Sequence, residues 1–266
     1  MQRDLALLLK SMRRAAIAGA DAARAAGDRM LIPRRQKSEG HWDIVTEADR
    51  RSQEIIVEKL RQECPGIAVI AEEFPSCHVP AAEFFTVDPI DGTWEYANGR
   101  NRWGVLLGYV EEGIPSAGIL LQPDLGVEAA AARDCGCRLN GQLFRFAPGS
   151  SRTAVISSGP WLRHQPRLVS GIIPALLTAG FRVLGAPCAT ACALALLTGD
   201  ADVYIGFEEK IWDVAPAAAA VTEASGAFAS LDGASAFFAS VDRPLVLGSS
   251  PEIVKSAAAL ITGSTA

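Results

Sequence analysis

The sequence has no long apolar run and no excess of positive charge, and these two absences exclude several classes of protein. Its most apolar tract, residues 186–197, is too short to span a bilayer and includes Pro187. The formal net charge of -5 argues against a broad nucleic-acid or membrane footprint. The N-terminal segment lacks a signal-peptide pattern, because Asp4 and Lys10 interrupt its apolar residues. We therefore expect a soluble cytoplasmic protein that binds neither membrane nor nucleic acid.

The sequence also lacks a familiar zinc pattern, although it contains six cysteines and three histidines. Cys135 and Cys137 do not have the usual spacing of zinc ligands, and no second pair lies nearby in the sequence. Cys188 and Cys192 lie four residues apart on a predicted helix, where a thiol packs like a small apolar side chain. We expect the thiols to be structural and His41, His78 and His164 to lie at the surface.

What the sequence does contain is enough apolar material for a substantial core. Hydrophobic residues make up 49% of the 266 residues, and charged residues make up 21%. The first part of the chain shows two helical patterns, the first from about Asp4 to Gly27, and then a series of predicted antiparallel strands. From about residue 149, strands alternate with helices predicted over residues 167–180, 189–199 and 215–226, which is typical of an α/β layer. The sequence therefore predicts an α/β fold with two domains, an α+β domain over residues 1–148 and an α/β domain over residues 149–266.

Acidic residues stand at the ends of several predicted elements. The predicted strands 67–73 and 83–91 both finish in carboxylates, and Thr46 and Asp49 fit a capping box at the start of the second helix. Ligand sites of open α/β sheets lie at strand ends, and carboxylates grouped there must bind cations or repel one another. The acidic residues in such positions are Asp49, Glu72, Glu73, Asp88, Asp91 and Asp213.

The segment from Asp88 to Gly92 fits either a plain turn or a metal-binding turn. On a continuous strand Asp88 and Asp91 would point to opposite faces. Pro89 discourages ladder pairing and Gly92 permits a sharp change of direction, so the two carboxylates and the Ile90 carbonyl can converge. Hard oxygen donors of this kind suit Mg²⁺. A helix beginning just after this turn would present backbone N–H groups to a phosphate.

Four segments, "DIVTEADRRSQEII", "AEE", "VDPIDGT" and "WDVAPAAAAVTEASG", resemble the inositol monophosphatase family of metal-dependent phosphatases in their order and spacing. The similarity extends from Asp43 to about Gly248, and the combination of "DPIDGT" with a downstream "WD" is highly specific. The resemblance implies a layered α-β-α-β-α sandwich of the sugar-phosphatase type. It also implies hydrolysis of a small phosphorylated metabolite with two or three Mg²⁺ ions per active site, and a homodimer.

The resemblance also assigns roles to matching positions of this sequence. The implied metal ligands are Glu72, Asp88, Ile90 (through its carbonyl), Asp91 and Asp213. The implied catalytic residues are Asp49, Glu72 and Thr93, of which Asp49 and Thr93 would orient or activate the attacking water. The implied substrate-binding residues are Asp91, Gly92, Thr93, Cys188, Ala189 and Asp213. Lys37 corresponds to a basic residue that the family places near the site.

Three departures from the family pattern leave the substrate open. The residues after "DPIDGT" are unusual, Pro187 removes a backbone donor, and Gly206 stands where inositol-specific relatives carry a glutamate. Inositol phosphate, histidinol phosphate, a sugar bisphosphate and a nucleotide 3′-phosphate are the candidate substrates, with Arg100 and Arg102 as contacts for a second phosphate. The alternative of another class is a non-catalytic protein that binds metal, a phosphorylated ligand or a protein partner.

Overall fold

The structure is a computed structural model that describes residues 3–27, 29, 34–36, 44–73, 82–147, 149, 151–157, 168–207, 209–230 and 245–264. The three histidines, Cys77 and Lys37 lie outside these ranges, so the predictions made for them are not tested. None of the helices within the described ranges combines the length and the apolarity needed to span a bilayer.

The first part of the chain contains three described helices, α1 (Leu5–Arg24), α2 (Glu47–Glu63) and α3 (Thr93–Ala97). Its described strands are β1 (Arg34–Gln36), β2 (Ile44–Thr46), β3 (Ala68–Ala71), β4 (Glu83–Asp91), β5 (Gly104–Glu111), β6 (Ile114–Gln122), β7 (Val127–Ala132), β8 (Gly136–Leu139) and β9 (Gln142–Phe144). Strands β1 and β2 form a small antiparallel pair. Strands β3 to β9 form a seven-stranded sheet in chain order, in which only the β3–β4 pair is parallel. The predicted antiparallel series is therefore confirmed.

The second part of the chain contains helices α4 (Ile173–Thr178), α5 (Ala189–Leu197), α6 (Ile211–Glu223) and α7 (Pro251–Ser264). Its described strands are β10 (Thr153–Ser157), β11 (Arg182–Ala186), β12 (Val203–Gly206), β13 (Ala227–Ser230) and β14 (Leu245–Gly248). They form a five-stranded sheet in the order β11-β10-β12-β14-β13. Strand β10 pairs in parallel with β11 and β12, whereas β14 pairs antiparallel with β12 and β13. The alternation of strands and helices predicted this α/β layer.

Three buried apolar clusters show how the layers stack. Met12 of α1 and Ile56 of α2 pack with Phe85 of β4 on one face of the seven-stranded sheet. Leu106 of β5 lies in a second cluster with residues of α5, α6 and the five-stranded sheet, so these two helices lie between the sheets. A third cluster joins α4 and α7 to the outer face of the five-stranded sheet, with Leu176 as one of its buried members. This order of layers confirms the α-β-α-β-α sandwich, while the division into two domains near residue 148 stays a prediction.

Several element boundaries differ from those that the pattern predicts. The first helix ends at Arg24 rather than near Gly27, and α6 begins at Ile211, four residues before the predicted start at Ala215. The predicted helix over residues 167–180 is a π-helical turn (Leu168–Ile172) followed by the short α4, which has a proline in its first turn. Local propensity fixes such ends poorly, because tertiary contacts and caps decide them.

Candidate active site

A bulge at the end of β4 brings Asp88 and Asp91 to the same face of the seven-stranded sheet. Asp88 lies opposite Leu106 and Asp91 lies opposite Gly104, so three steps along β4 match two steps along β5. Cross-strand partners share a face and side chains alternate along a strand, so the extra residue turns the second carboxylate to the side of the first. The expected convergence is therefore present. The strand continues through Pro89 to Asp91 with a bulge, rather than ending in a turn.

Helix α3 begins directly after β4, as the sequence predicts. Gly92 is its N-cap and has a φ of +79°, a left-handed conformation that strongly favours glycine. The Thr93 hydroxyl donates to the Ile90 carbonyl at 3.1 Å, which folds the start of the helix back onto the end of the strand. Thr93 also reaches a second element, because its hydroxyl lies 3.0 Å from Oδ1 of Asp49.

Asp49 occupies the predicted capping box at the start of α2 and is fully buried. The backbone N–H of Thr46 donates to its Oδ2 at 2.8 Å, and the Thr46 hydroxyl donates to the same oxygen. The other oxygen faces Thr93. Burial is the largest influence on this carboxyl and raises its pKa to about 6, against the opposing effect of the Thr46 hydrogen bonds.

Asp213 approaches the same place from the second part of the chain. It lies in the first turn of α6, where its Oδ2 accepts the backbone N–H of Lys210 at 2.8 Å. One carboxylate oxygen each of Asp88, Asp91 and Asp213 lies within 4.8 Å of the others. The three aspartates are therefore together, although more than 100 positions separate the last from the first two.

Burial and the proximity of like charges disfavour ionisation throughout this cluster. Burial and the neighbouring Glu72, Asp91 and Asp213 raise the pKa of Asp88 well above its usual value. The pKa values of Asp91 and Asp213 are raised as well, again first by burial. Carboxylates in this state gain most from a cation, since it removes their mutual repulsion. The donor set consists of hard oxygen atoms and could hold a divalent metal ion.

Glu72 stands just beyond the end of β3, beside the cluster. Its backbone N–H donates to the Val87 carbonyl at 3.1 Å, which extends the contact between β3 and β4. Glu72 contributes to the raised pKa values of Asp88, Asp49 and Asp213. The backbone N–H of the neighbouring Glu73 donates to the side chain of Gln53 in α2 at 2.9 Å.

The start of α5 supplies contacts that the sequence reasoning missed. The backbone N–H of Thr190 donates to Oδ2 of Asp91 at 2.5 Å, although the two residues are 99 positions apart. Cys188 is buried with its Sγ 3.4 Å from the Arg102 carbonyl, and it packs against Gly92. Ala189 is the first residue of the helix and is also buried. No local pattern marks a contact of this kind in the sequence.

Several charged residues at or near the departures from the family pattern have partners within the chain. Arg100 donates to the buried Glu95 at 2.7 Å, so the negative charge of Glu95 near the end of β4 is neutralised within the chain. Glu209 is buried and accepts the Tyr204 hydroxyl at 2.7 Å. Its charge is the largest electrostatic influence on Asp213. In the sequence, Glu209 stands three positions after Gly206, the position at which inositol-specific relatives carry a glutamate.

Comparison with known proteins finds, over nearly the whole chain, the same family that the four sequence segments resemble. The inositol monophosphatase family model matches residues 4–264. A fructose-1,6-bisphosphatase/inositol-1-monophosphatase of Thermotoga maritima is 28% identical over 199 residues, which are 74% of this chain and 75% of that protein. A histidinol-phosphatase of Mycobacterium tuberculosis is 30% identical over 200 residues, or 71% of this chain and 75% of that protein. A putative Nus factor SuhB of Neisseria meningitidis is 28% identical over 237 residues, 87% of this chain and 88% of that protein.

Solved structures agree on the fold. An inositol monophosphatase from Anabaena (Nostoc) superposes with a TM-score of 0.82 at 19% sequence identity, covering 98% of both chains. At this level of identity the likeness shows the architecture alone.

Proposed function

The chain belongs to the inositol monophosphatase family, and we propose that it is a Mg²⁺-dependent phosphomonoesterase of a small phosphorylated metabolite. The observation that carries this proposal is the meeting of Asp88, Asp91 and Asp213 within 4.8 Å of one another. They lie beside a threonine hydroxyl that joins Asp49 to the Ile90 carbonyl. Carboxylate and carbonyl oxygens are the ligands that Mg²⁺ prefers.

The proposed metal site uses residues from both parts of the chain. The residues that would hold two or three Mg²⁺ ions are Glu72, Asp88, Ile90 (through its carbonyl), Asp91 and Asp213. Mg²⁺ bound there would lower the pKa of a water molecule and neutralise negative charge on the phosphoryl group. The raised pKa values of the aspartates support this role, because a site built for cations is electrostatically unfavourable without them.

Asp49 and Thr93 are arranged to accept and hand on a proton. Thr46 occupies one oxygen of Asp49, which fixes the carboxylate and leaves the other oxygen for the Thr93 hydroxyl. The Thr93 hydroxyl has one proton, which can be directed to Asp49 or to the Ile90 carbonyl. When it is directed to Asp49, the hydroxyl oxygen can accept a proton from a water molecule. A pKa of about 6 suits Asp49 to act as a base near neutral pH. We propose that this pair orients and deprotonates the attacking water.

We propose that the substrate binds where the start of α3, the start of α5 and the aspartate cluster meet. The proposed contacts are Gly92, Thr93, Cys188 and Ala189 at the two helix starts, with Asp91 and Asp213 on the metal side. Inositol phosphate, fructose 1,6-bisphosphate and histidinol phosphate are the leading candidates, because the names of two relatives given above refer to these substrates. A homodimer stays a prediction of the family resemblance.

The test is release of inorganic phosphate from a panel of substrates with and without Mg²⁺. The panel contains inositol 1-phosphate, histidinol phosphate, fructose 1,6-bisphosphate and 3′-phosphoadenosine 5′-phosphate. We expect Mg²⁺-dependent turnover of at least one compound, and its loss in Asp91→Asn with the circular dichroism spectrum unchanged. Glu58→Gln, an exposed charge removal on α2, is the matched control and should retain full activity. Metal-dependent turnover of none of the four would favour the non-catalytic alternative.

A further inference from the structure

The start of α5 lies directly on the strand that pairs with the metal-binding turn. Strand β5 begins at Gly104, which is opposite Asp91 in the sheet. The side chain of Thr190 lies over Gly104, and the backbone N–H of Thr190 reaches Oδ2 of Asp91 at 2.5 Å. One residue of α5 therefore contacts both members of this cross-strand pair.

The missing side chain of Gly104 is what permits this approach. A Cβ atom at position 104 would lie 2.6 Å from Cβ and 2.5 Å from Cγ2 of Thr190, and closer still to its Oγ1. Carbon atoms in contact normally stand about 3.5–4.0 Å apart, so no other residue fits unless α5 moves. The backbone of Gly104 has no positive φ, so its role here is to provide space and not an unusual conformation.

The side chain of Thr190 packs against Gly104 and also lies beside the Asp91 carboxylate. It is fully buried, and its hydroxyl has no well-aligned hydrogen-bond partner among the described residues. The hydroxyl is nevertheless close enough to Asp91 to lower the pKa of that carboxyl, against the larger effect of burial. The contacts of Thr190 at this site are therefore its shape against Gly104, its backbone N–H on Asp91 and the proximity of its hydroxyl to the same carboxylate.

We propose that Gly104 and Thr190 form a steric pair that positions the Asp91 carboxylate for metal binding. The fit of Thr190 over Gly104 sets the distance between α5 and the sheet. That distance places the Thr190 N–H on Asp91 and keeps the carboxylate directed toward Asp88 and Asp213. Both members act through Asp91 and are positioning residues. The inference rests on the proposed function, since it takes Asp91 as a metal ligand.

Three single variants and one double variant test the steric pair by titration with Mg²⁺ in a calorimeter. Gly104→Ala introduces the clash, and we expect the Mg²⁺ affinity to fall at least tenfold, as is typical when a residue that orients a metal ligand is disturbed. Thr190→Gly removes all three clashing atoms and keeps the N–H. Combined with Gly104→Ala, it should restore the affinity to within about threefold of the single Thr190→Gly variant. Thr190→Val keeps the shape without the hydroxyl and should bind Mg²⁺ within about threefold of the wild type.

Gly248→Ala is the matched control for a steric clash elsewhere. Its Cβ would lie 2.7 Å from Cγ2 of Val254 and 2.8 Å from Cγ2 of Ile253, between β14 and α7. Gly248 pairs with Val203, at the opposite end of β12 from Gly206. This variant should lower the melting temperature and leave the Mg²⁺ affinity unchanged.

A readout without metal separates this inference from the proposed function. Hydrogen exchange of the Thr190 amide in EDTA should be at least tenfold faster in Gly104→Ala, and slow again in the double variant with Thr190→Gly. Wild-type affinity and amide protection in Gly104→Ala would overturn the inference. So would a double variant no better than Gly104→Ala, or a loss of affinity in Thr190→Val as large as that in Gly104→Ala. If the wild type itself does not bind Mg²⁺, the proposed function fails, while amide exchange still decides whether the steric pair exists.

Discussion

Replacing Asp213 with asparagine should make the metal-free protein more stable, although it removes a proposed metal ligand. The Asp213 carboxylate lies within 4.8 Å of those of Asp88 and Asp91, and Glu209 adds another negative charge nearby. Asparagine keeps an oxygen that can accept the N–H of Lys210, so the start of α6 is preserved. The substitution therefore removes repulsion at little cost in hydrogen bonding.

The size of the effect follows from the spacing of the charges. Two unit charges 4.8 Å apart repel by about 3.5 kcal/mol at an effective dielectric constant of about 20. The raised pKa values of the aspartates mean that bound protons already relieve part of this repulsion near neutral pH. We expect a gain of about 1–2 kcal/mol in the free energy of unfolding, which corresponds to about 2–8 °C in melting temperature.

Thermal unfolding followed by circular dichroism, once in EDTA and once in excess Mg²⁺, measures the effect. Mg²⁺ at a hundred times its dissociation constant should stabilise the wild type by about 2.7 kcal/mol. Mg²⁺ should stabilise Asp213→Asn much less. The variant should therefore have the higher melting temperature in EDTA, and the wild type should have the higher melting temperature in excess Mg²⁺. Glu58→Gln should shift neither curve relative to the wild type. A lower melting temperature of Asp213→Asn in EDTA would refute the argument from repulsion.

Three further predictions concern other residues. Because burial raises the pKa of Asp49 to about 6, the folded metal-free protein binds more protons than the unfolded chain between about pH 4 and 6, so urea denaturation in EDTA should show stability falling as the pH rises through this range. Thr93→Val keeps the shape but loses both hydroxyl contacts, and phosphate release should fall about 100-fold or more without a change in the circular dichroism spectrum. Glu83 accepts hydrogen bonds from Arg3 and Tyr109 at 2.6 Å, so Glu83→Gln should cost about 1 kcal/mol in unfolding free energy at pH 7. Arg3 lowers the pKa of Glu83 to about 2, so this difference should shrink as the pH falls from about 4.5 toward 2, and a constant difference would contradict the assignment.

Sequence patterns that depend on neighbours in the chain predicted the structure well. The predicted strand over residues 83–91 is β4, and the capping box of Thr46 and Asp49 is present in the structure. The start of α3 after Gly92 is also confirmed. Each of these features is encoded within a few residues, so alternation, capping chemistry and a turn glycine are enough to locate it.

Features that depend on distant contacts could not be predicted in this way. The bulge that aligns Asp88 with Asp91 is a property of the pairing between β4 and β5. The bond from Thr190 to Asp91 joins residues 99 positions apart. Strands β13 and β14 were also missed, since short apolar runs of four residues do not distinguish a strand from part of a helix. The resemblance to a family supplied the predicted set of metal ligands, which these patterns alone could not.

Asp49 and Asp213 hold the first turns of α2 and α6 as well as facing the proposed metal site. Losing the acceptor at position 49 costs about 1 kcal/mol, so a descendant of this protein that had abandoned hydrolysis would still be under selection to keep Asp49, whereas asparagine could serve at position 213. The presence of Asp49 in a sequence is therefore weak evidence of turnover. The Thr93 hydroxyl is a better indicator, because both acceptors within its reach are groups of the site. When members of the family are sorted into active and inactive chains, the hydroxyl at this position should carry more information than the more familiar acidic residues.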